Sequence, residues 1–403
     1  MYAARFRLLS WAIGPALAFA LSACNGDAVS PQEPAPAATR SESLFKGTGI
    51  RAANIDELYA AINNPQNAGK QIILEPNLYV LDPGRPHGGR IELQQGMSLR
   101  GKEGHADSVV IDASGLDVAS LTDGVLTGAI RVGRGANAVE WLTVRNVTQG
   151  AAAIETDLAG AGVSSVRIAN VIAVNNQRGF DIRNVGPAMA HRRLEVQLVR
   201  NVLSDNTAGA GQGLRIVNQN TSAGVIHAAL CNNEARGNIA GGLGANLNSD
   251  SCTLLIESTA DQFEHNGNGW ILLGGIASGT VFAGDNSVGF TAHGGTIQGS
   301  GVLSPPAAQL TGGLVAVGGT NSGSVADHVS HNVVGVELWG VTLRGNDSPD
   351  IGAWGAWTAS GVLAGTYDRV SIALHGVTKL ANVVPTPSAP PEPGGTNTVT
   401  IRR

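Results

Sequence analysis

Five polar residues occupy comparable places in successive short segments of one pattern: Glu155, Asp181, Arg183, Arg215 and Asn246. Phe180 and Ile182 alternate with Asp181 and Arg183, and Leu214 and Ile216 flank Arg215. Successive side chains of an extended strand point to opposite faces. With the apolar members turned inward, the five polar residues share the outward face of adjacent strands. Such a group would bind the hydroxyls or carboxylates of a sugar chain, because a guanidinium grips a carboxylate through two parallel hydrogen bonds. The alternative is a solvated ladder of alternating charges that supports the sheet and does nothing else.

Other residues with chemical potential are less well placed. Asp327-His328 with His331 has a metal-like spacing, but a Gly- and Ser-rich stretch with no third ligand reads as a solvated turn. Gly209-Ala210-Gly211-Gln212-Gly213 lacks the Lys-Ser/Thr end of a phosphate loop and reads as a turn insertion. Trp339, Trp354 and Trp357 gather toward one end of the chain. Exposed, they would stack on sugar rings; buried, they would close the core, which is the preferred reading. Cys231 and Cys252 either form a disulfide or remain two buried thiols in separate repeats. Calcium would need several oxygen ligands, and no acidic cluster supplies them, so no cofactor is expected.

The elements that must position the five residues show themselves as a repeat. Asn146, Asn176, Asn206, Asn238 and Asn266 recur at intervals of 30, 30, 32 and 28 residues. Each follows a strand-like run such as Val166-Arg167-Ile168-Ala169 and precedes a Gly and another strand, as in Gly179-Phe180-Asp181-Ile182 and Gly213-Leu214-Arg215-Ile216. Strand, Asn turn, Gly, strand is one coil of a solenoid. Asn tolerates left-handed backbone angles and its amide bonds neighbouring backbone groups. Stacked coils place the five amides about 4.8 Å apart, where they can form a ladder. An open α/β sheet would need amphipathic helices between strands, and none is visible between residues 140 and 300. Parallel strands joined by coil crossovers wind right-handed. The predicted fold is therefore all-β: a single-stranded right-handed parallel β-helix. Beyond residue 275 the repeat loosens, and 301–335 reads as an excursion from it.

Composition agrees. Charged residues make up 14%, low for a soluble domain, and Gly supplies 55 of 403 residues, which suits short buried strands joined by tight turns. The formal net charge of −5 provides no basic footprint for nucleic acid.

At the start, Arg5 and Arg7 precede an apolar run from Leu8 to Leu21, followed by Leu21-Ser22-Ala23-Cys24. The run is short for a membrane span and has the layout of a signal peptide. The final four residues resemble the lipobox of bacterial lipoproteins. That resemblance implies cleavage before Cys24, acylation of Cys24, and attachment to the lipid bilayer of the cell envelope, facing the periplasm or the cell surface. The expected organisation is a signal peptide over 1–23, a flexible tether over 24–46, the β-helix over 47–384 and a Pro-rich tail over 385–403.

The repeat region resembles the pectin-lyase-like superfamily of right-handed β-helices. Asn54-Ile55-Asp56-Glu57-Leu58-Tyr59-Ala60-Ala61-Ile62 reads as a short capping helix, with Asn54 as N-cap and Glu57 completing a capping box. Ile91-Glu92-Leu93 and Val109-Val110-Ile111-Asp112 resemble the first coils. The catalytic motifs do not carry over. Asn176-Gln177-Arg178-Gly179-Phe180-Asp181 resembles a polygalacturonase segment whose first catalytic Asp falls on Arg178 here, and the Asp pair and Gly-His-Gly of those enzymes have no counterpart. The resemblance thus implies a structural or carbohydrate-binding role, with a polysaccharide as partner. The alternative is a lyase or glycoside hydrolase with a non-standard site.

Overall fold

The computed structural model describes residues 49–116, 128–147, 151–156, 163–185, 193–207, 211–219, 223–248, 250–277, 283–301, 312–321, 329–346, 350–357, 367–378, 380, 383–386 and 397–403. Cys24 and the proposed leader and tether lie outside these residues, as do 302–311 and 322–328 of the expected 301–335 excursion. So do Asp327, His328 and the side chain of Trp357.

Among the described residues, three parallel sheets run the length of the molecule: sheet A with twelve strands, sheet B with nine and sheet C with ten. The chain visits A, B and C in turn on every coil. One coil is Val163–Ala169 in A, Ile172–Val174 in B and Arg178–Val185 in C; the next is Arg193–Val199, Val202–Ser204 and Gln212–Gln219. The protein is a right-handed parallel β-helix. One inward column in sheet A holds Val166, Val196, Ala228, Ile256 and Phe290, and one in sheet C holds Phe180, Leu214 and Leu243; all belong to one apolar core. Helix α1 (Ile55–Asn63) lays Leu58, Tyr59, Ala61 and Ile62 against that core. Its N-terminus is capped as the sequence implies: Asn54 Oδ1 accepts from Glu57 N at 3.0 Å, and Glu57 Oε2 accepts in return from Ala53 N at 2.8 Å.

From Trp141 onward the described bends repeat a two-residue device: a left-handed residue, then an inner residue that links the coils. At the B-to-C bend the left-handed residues are Asn146, Asn175, Asp205, Gly237 and His265. The buried residues that follow are Val147, Asn176, Asn206, Asn238 and Asn266. Asn176 Oδ1 accepts from Val147 N at 2.9 Å, Asn206 Oδ1 from Asn176 N at 3.0 Å, Asn238 Oδ1 from Asn206 N at 3.3 Å and Asn266 Oδ1 from Asn238 N at 3.1 Å. Four of the five expected Asn thus form the ladder, and Asn146 does not. Asn146 pairs with the exposed column, where it donates to the Asp112 carboxylate and accepts from Asn175. In register Thr143 faces Ile172 and Arg145 faces Val174, so Asn146 falls beside Asn175 and Val147 takes the ladder place beside Asn176.

Two further ladders close the other bends. Asn201, Asn233 and Asp261 link the A-to-B bends, and Asn286, Asn332 and Asp368 the C-to-A bends. In the last two positions a carboxylate replaces the amide. Burial pushes Asp261 up to about 6 and Asp368 up to about 7, against hydrogen bonds from Asn233 and Asn332 that pull the other way.

Three further expectations are resolved. Cys252 is buried and keeps its thiol, which donates to Asp250 O at 3.5 Å, so Cys231 and Cys252 are not bridged to each other; Cys231 ends one strand of sheet A and Cys252 precedes the next. In the Pro-rich C-terminal segment, whose Val399-Thr400-Ile401 reads either as a strand or as a loose end, Val383–Thr386 adds a strand to sheet C beside Ile351–Trp354, and Thr398–Arg402 one to sheet A beside Arg369–Ala373. Trp339 does not close the core. It is 41% exposed and stacks on His375, with ring centroids 3.7 Å apart.

The ladder makes a stability prediction. Asn206→Leu removes the acceptor for Asn176 N–H inside the core and should cost about 1–3 kcal/mol. Asn175→Gly, at an exposed left-handed position with φ 55°, should change stability by no more than about 0.5 kcal/mol. Equal thermal unfolding midpoints for the two variants would refute the ladder.

A buried file of charges on sheet C

One outward column of sheet C carries charge on five successive strands. Cα pairing runs Glu92 to Arg131, Arg131 to Glu155, Glu155 to Asp181, and Asp181 to Arg215. Gly244 follows at the next strand. The expected alternation is correct in direction: Ile130, Ile154, Phe180, Ile182, Leu214 and Ile216 fill the core, and the charged residues point away from it. The structure therefore brings Glu155, Asp181, Arg183 and Arg215 together. Asn246 lies half-buried two strands from Arg183, with Val217 between them in register.

What changes is exposure. Glu155 and Asp181 have no accessible surface, and Arg183 is 7% exposed. An outward-pointing side chain is solvated only if nothing covers it, and here long guanidinium arms lie across the column. Asp181 receives Arg215 in bidentate fashion, Nε to Oδ1 at 2.9 Å and Nη2 to Oδ2 at 2.8 Å, with Arg183 Nη2 at 2.5 Å and Arg178 Nη1 at 3.7 Å from Oδ2. Burial would raise the Asp181 carboxyl, but the charge of Arg215 and the hydrogen bond from Arg183 outweigh it and hold the group below the ordinary carboxylate range. Burial and the neighbouring Arg215 lower Arg178 to about 10, which leaves it charged at neutral pH.

The other half of the file was not singled out in the sequence. Glu92 is held by Arg90 at 2.7 Å, Arg131 at 3.1 Å and Arg134 at 3.2 Å, with His87 Nδ1 at 3.5 Å. Burial raises Glu92, yet the bond from Arg90 and the charge of Arg131 bring it below its usual value. The usable signal was parity: Glu92 sits between Ile91 and Leu93, and Arg131 between Ile130 and Val132. These first coils lack the Asn turn that marks the later ones.

Glu155 lies between the two halves and is poorly served by both. Its Oε1 is 3.3 Å from Arg131 Nε and 3.9 Å from Arg90 Nη1, while Oε2 has no hydrogen-bond partner. Burial pushes its carboxyl up to about 7; the charges of Arg131 and Arg90 offset this only in part, and the Asp181 charge adds to it. Among the described residues no three metal-ligating side chains gather into a site.

The raised Glu155 pKa has a defined sign. The folded state holds this proton more tightly than the unfolded chain, so the group's contribution to stability falls as pH rises from the ordinary Glu value of 4.5 to about 7. Glu155→Gln, neutral at every pH, should be more stable than the parent at pH 8 and nearly equal to it at pH 4. Melting curves with the same difference at both pH values would show that folding does not shift the Glu155 pKa.

No protein-family model and no curated protein matches the sequence. Among solved structures, the A-module of the Azotobacter vinelandii mannuronan C-5 epimerase AlgE4 aligns over 89% of this chain and 93% of its own, at 16% identity and a TM-score of 0.50. The A-module of AlgE6 from the same organism aligns over 89% and 96%, at 16% identity and a TM-score of 0.35. At this identity the likeness is one of fold: the chain shares the parallel β-helix of the AlgE4 A-module.

Proposed function

We propose that this chain is a cell-envelope protein, anchored through an acylated Cys24, whose sheet C binds an acidic polysaccharide. One observation carries the binding reading. Among the described residues, Arg90, Arg131, Arg134, Arg178, Arg183 and Arg215 gather around Glu92, Glu155 and Asp181, in a chain whose formal net charge is −5. Among these described groups cations outnumber carboxylates, and the excess grows when Glu155 takes up its proton. Its accessible members are Arg134 and Arg215, with side chains 30% and 21% exposed. The carboxylates beneath fix the guanidinium planes, so the arms meet a ligand with little entropy left to lose. The fold is shared with a protein named for its action on mannuronan, which is consistent with a uronate chain as ligand.

A lyase or hydrolase reading rests on Glu155, whose pKa of about 7 suits proton transfer. Its complete burial keeps it from a polymer, and both Asp181 oxygens are already taken by arginines. Binding is therefore the stronger reading.

Alginate and polygalacturonate should bind, dextran should not, and added salt should weaken the interaction because exposed charges are screened within about 10 Å at 0.1 M. Arg215→Ala should cost about 1–3 kcal/mol of affinity while Arg183 and Arg178 still hold Asp181. Asp181→Ala is a poor probe, since an abandoned buried charge costs about 3–5 kcal/mol of stability. Calorimetry showing no preference for acidic polymers, or an Arg215→Ala variant of full affinity, would exclude sheet C; unsaturated or reducing ends released during the assay would favour the enzyme.

The anchoring half is tested separately. With Leu21-Ser22-Ala23-Cys24 as motive, Cys24→Ala should move the protein from the membrane pellet to the soluble fraction. A variant that stays in the pellet after a carbonate wash is held by something other than a lipid on Cys24.

A further inference from the structure

The A-to-B bends carry one left-handed residue per coil: Trp141, Asn170, Arg200, Asn232, Ala260, Gly294, Gly340 and Gly376. Hydrogen bonds stack them, with Trp141 N donating to Ala169 O, Asn170 N to Val199 O and Arg200 N to Cys231 O. Most of these types suit the position. Trp141, at φ 59°, does not, because bulky L side chains are rare there. Strain of this kind collects at ligand clamps, and a Trp held in a turn meant for Asn or Gly calls for a reason.

A shallow, open groove of about 290 Å³ lies against it, lined by the half-buried Trp141 with Asn170, Arg200, Asp107, Ile172 and Val202. Ile172 and Val202 face each other in register on sheet B and point away from the core, giving an apolar strip. Asn170 is half-buried, and Asp107 and Arg200 are exposed. An indole and an apolar strip beside an amide, a carboxylate and a guanidinium is an amphipathic surface. It offers flat hydrocarbon for the C–H face of a pyranose and both donors and acceptors for its hydroxyls. Unlike sheet C, the groove sets one cation against one anion, which suits a neutral sugar rather than a uronate.

We propose that this groove at the A-to-B bend is a second carbohydrate site, taking a neutral oligosaccharide with Trp141 as the stacking platform. The proposal is independent of the sheet C reading. The full chain would be titrated calorimetrically with cellohexaose, mannohexaose and maltohexaose. At least one should bind, and Trp141→Asn should weaken it by about tenfold or more. The Asn variant repeats the residue of the next coil at this position and relieves the left-handed strain, so its melting midpoint should not fall in proportion to the lost affinity. Arg200→Ala and Asp107→Ala, on the exposed rim, should each weaken binding severalfold and serve as the test if Trp141→Asn does not fold. Arg215→Ala should leave this affinity untouched. Failure of all three hexasaccharides to bind, or full affinity in Trp141→Asn or in both rim variants, overturns the proposal whatever happens on sheet C.

Discussion

The central coils of this molecule are closed by side-chain amides that reach along the helix axis, and the rest of the structure depends on them. A bend interrupts the backbone ladders of the flanking sheets and leaves peptide groups inside that water cannot reach; unpaired, each would cost a large part of a hydrogen bond. Asn solves this because one amide both donates and accepts. Asn238 Nδ2 donates to Leu203 O and to Asn266 Oδ1, while its Oδ1 receives Asn206 N and Nδ2. A chain of such groups needs an end. At the A-to-B bends the amides lead to Asp261, and at the C-to-A bends they pass through Asp368, whose N–H donates to Asn397 Oδ1; the two carboxyls accept from Asn233 and Asn332 and are pushed toward neutrality by their burial.

The same stacking governs the charges on sheet C. Parallel strands in register set each residue about 4.8 Å from its counterpart on the next coil, so a column of ionised groups is tolerable only if signs alternate. The column reads acidic, basic, acidic, acidic, basic from Glu92 to Arg215. The single fault is Glu155 against Asp181. The arginines resolve it unequally: three attend Asp181, which stays ionised, and Glu155 is left with an unpaired oxygen and a proton held up to about neutral pH. A titratable group near pH 7 is often a sign of function; here a packing conflict produces one without any ligand.

The fold was legible because its main device leaves a trace in residue type. Asn176, Asn206, Asn238 and Asn266 sit where no other side chain serves as well, and their period survives small changes of loop length. The other two ladders were not found. Asn286, Asn332 and Asp368 are 46 and 36 residues apart, because insertions between sheets stretch the interval, and Asp in place of Asn hides the last step. Asn146 was misplaced for a related reason: at the left-handed and the inner position of a bend Asn is equally at home, so type alone cannot choose between neighbours. On sheet C, alternation gave the direction of Asp181 and Arg215 correctly. It could not give their burial, which depends on how Arg178, Arg183 and Arg215 fold across the column.

Stacking also marks where the chain is free to vary. The inner columns admit amides, a few carboxylates and aliphatic groups, since each member must satisfy or fill what its neighbours leave. The left-handed column at the A-to-B bend has no such demand on its side chains, which leave the helix, and there Gly, Ala, Asn, Arg and Trp all occur. Backbone conformation alone would select Gly or Asn at every one of these places. A residue that departs from that choice at an energetic cost, as Trp141 does, is supported by something other than the solenoid. In a molecule whose repeat explains most of its residues, the departures from the repeat are the part that still needs a physical cause.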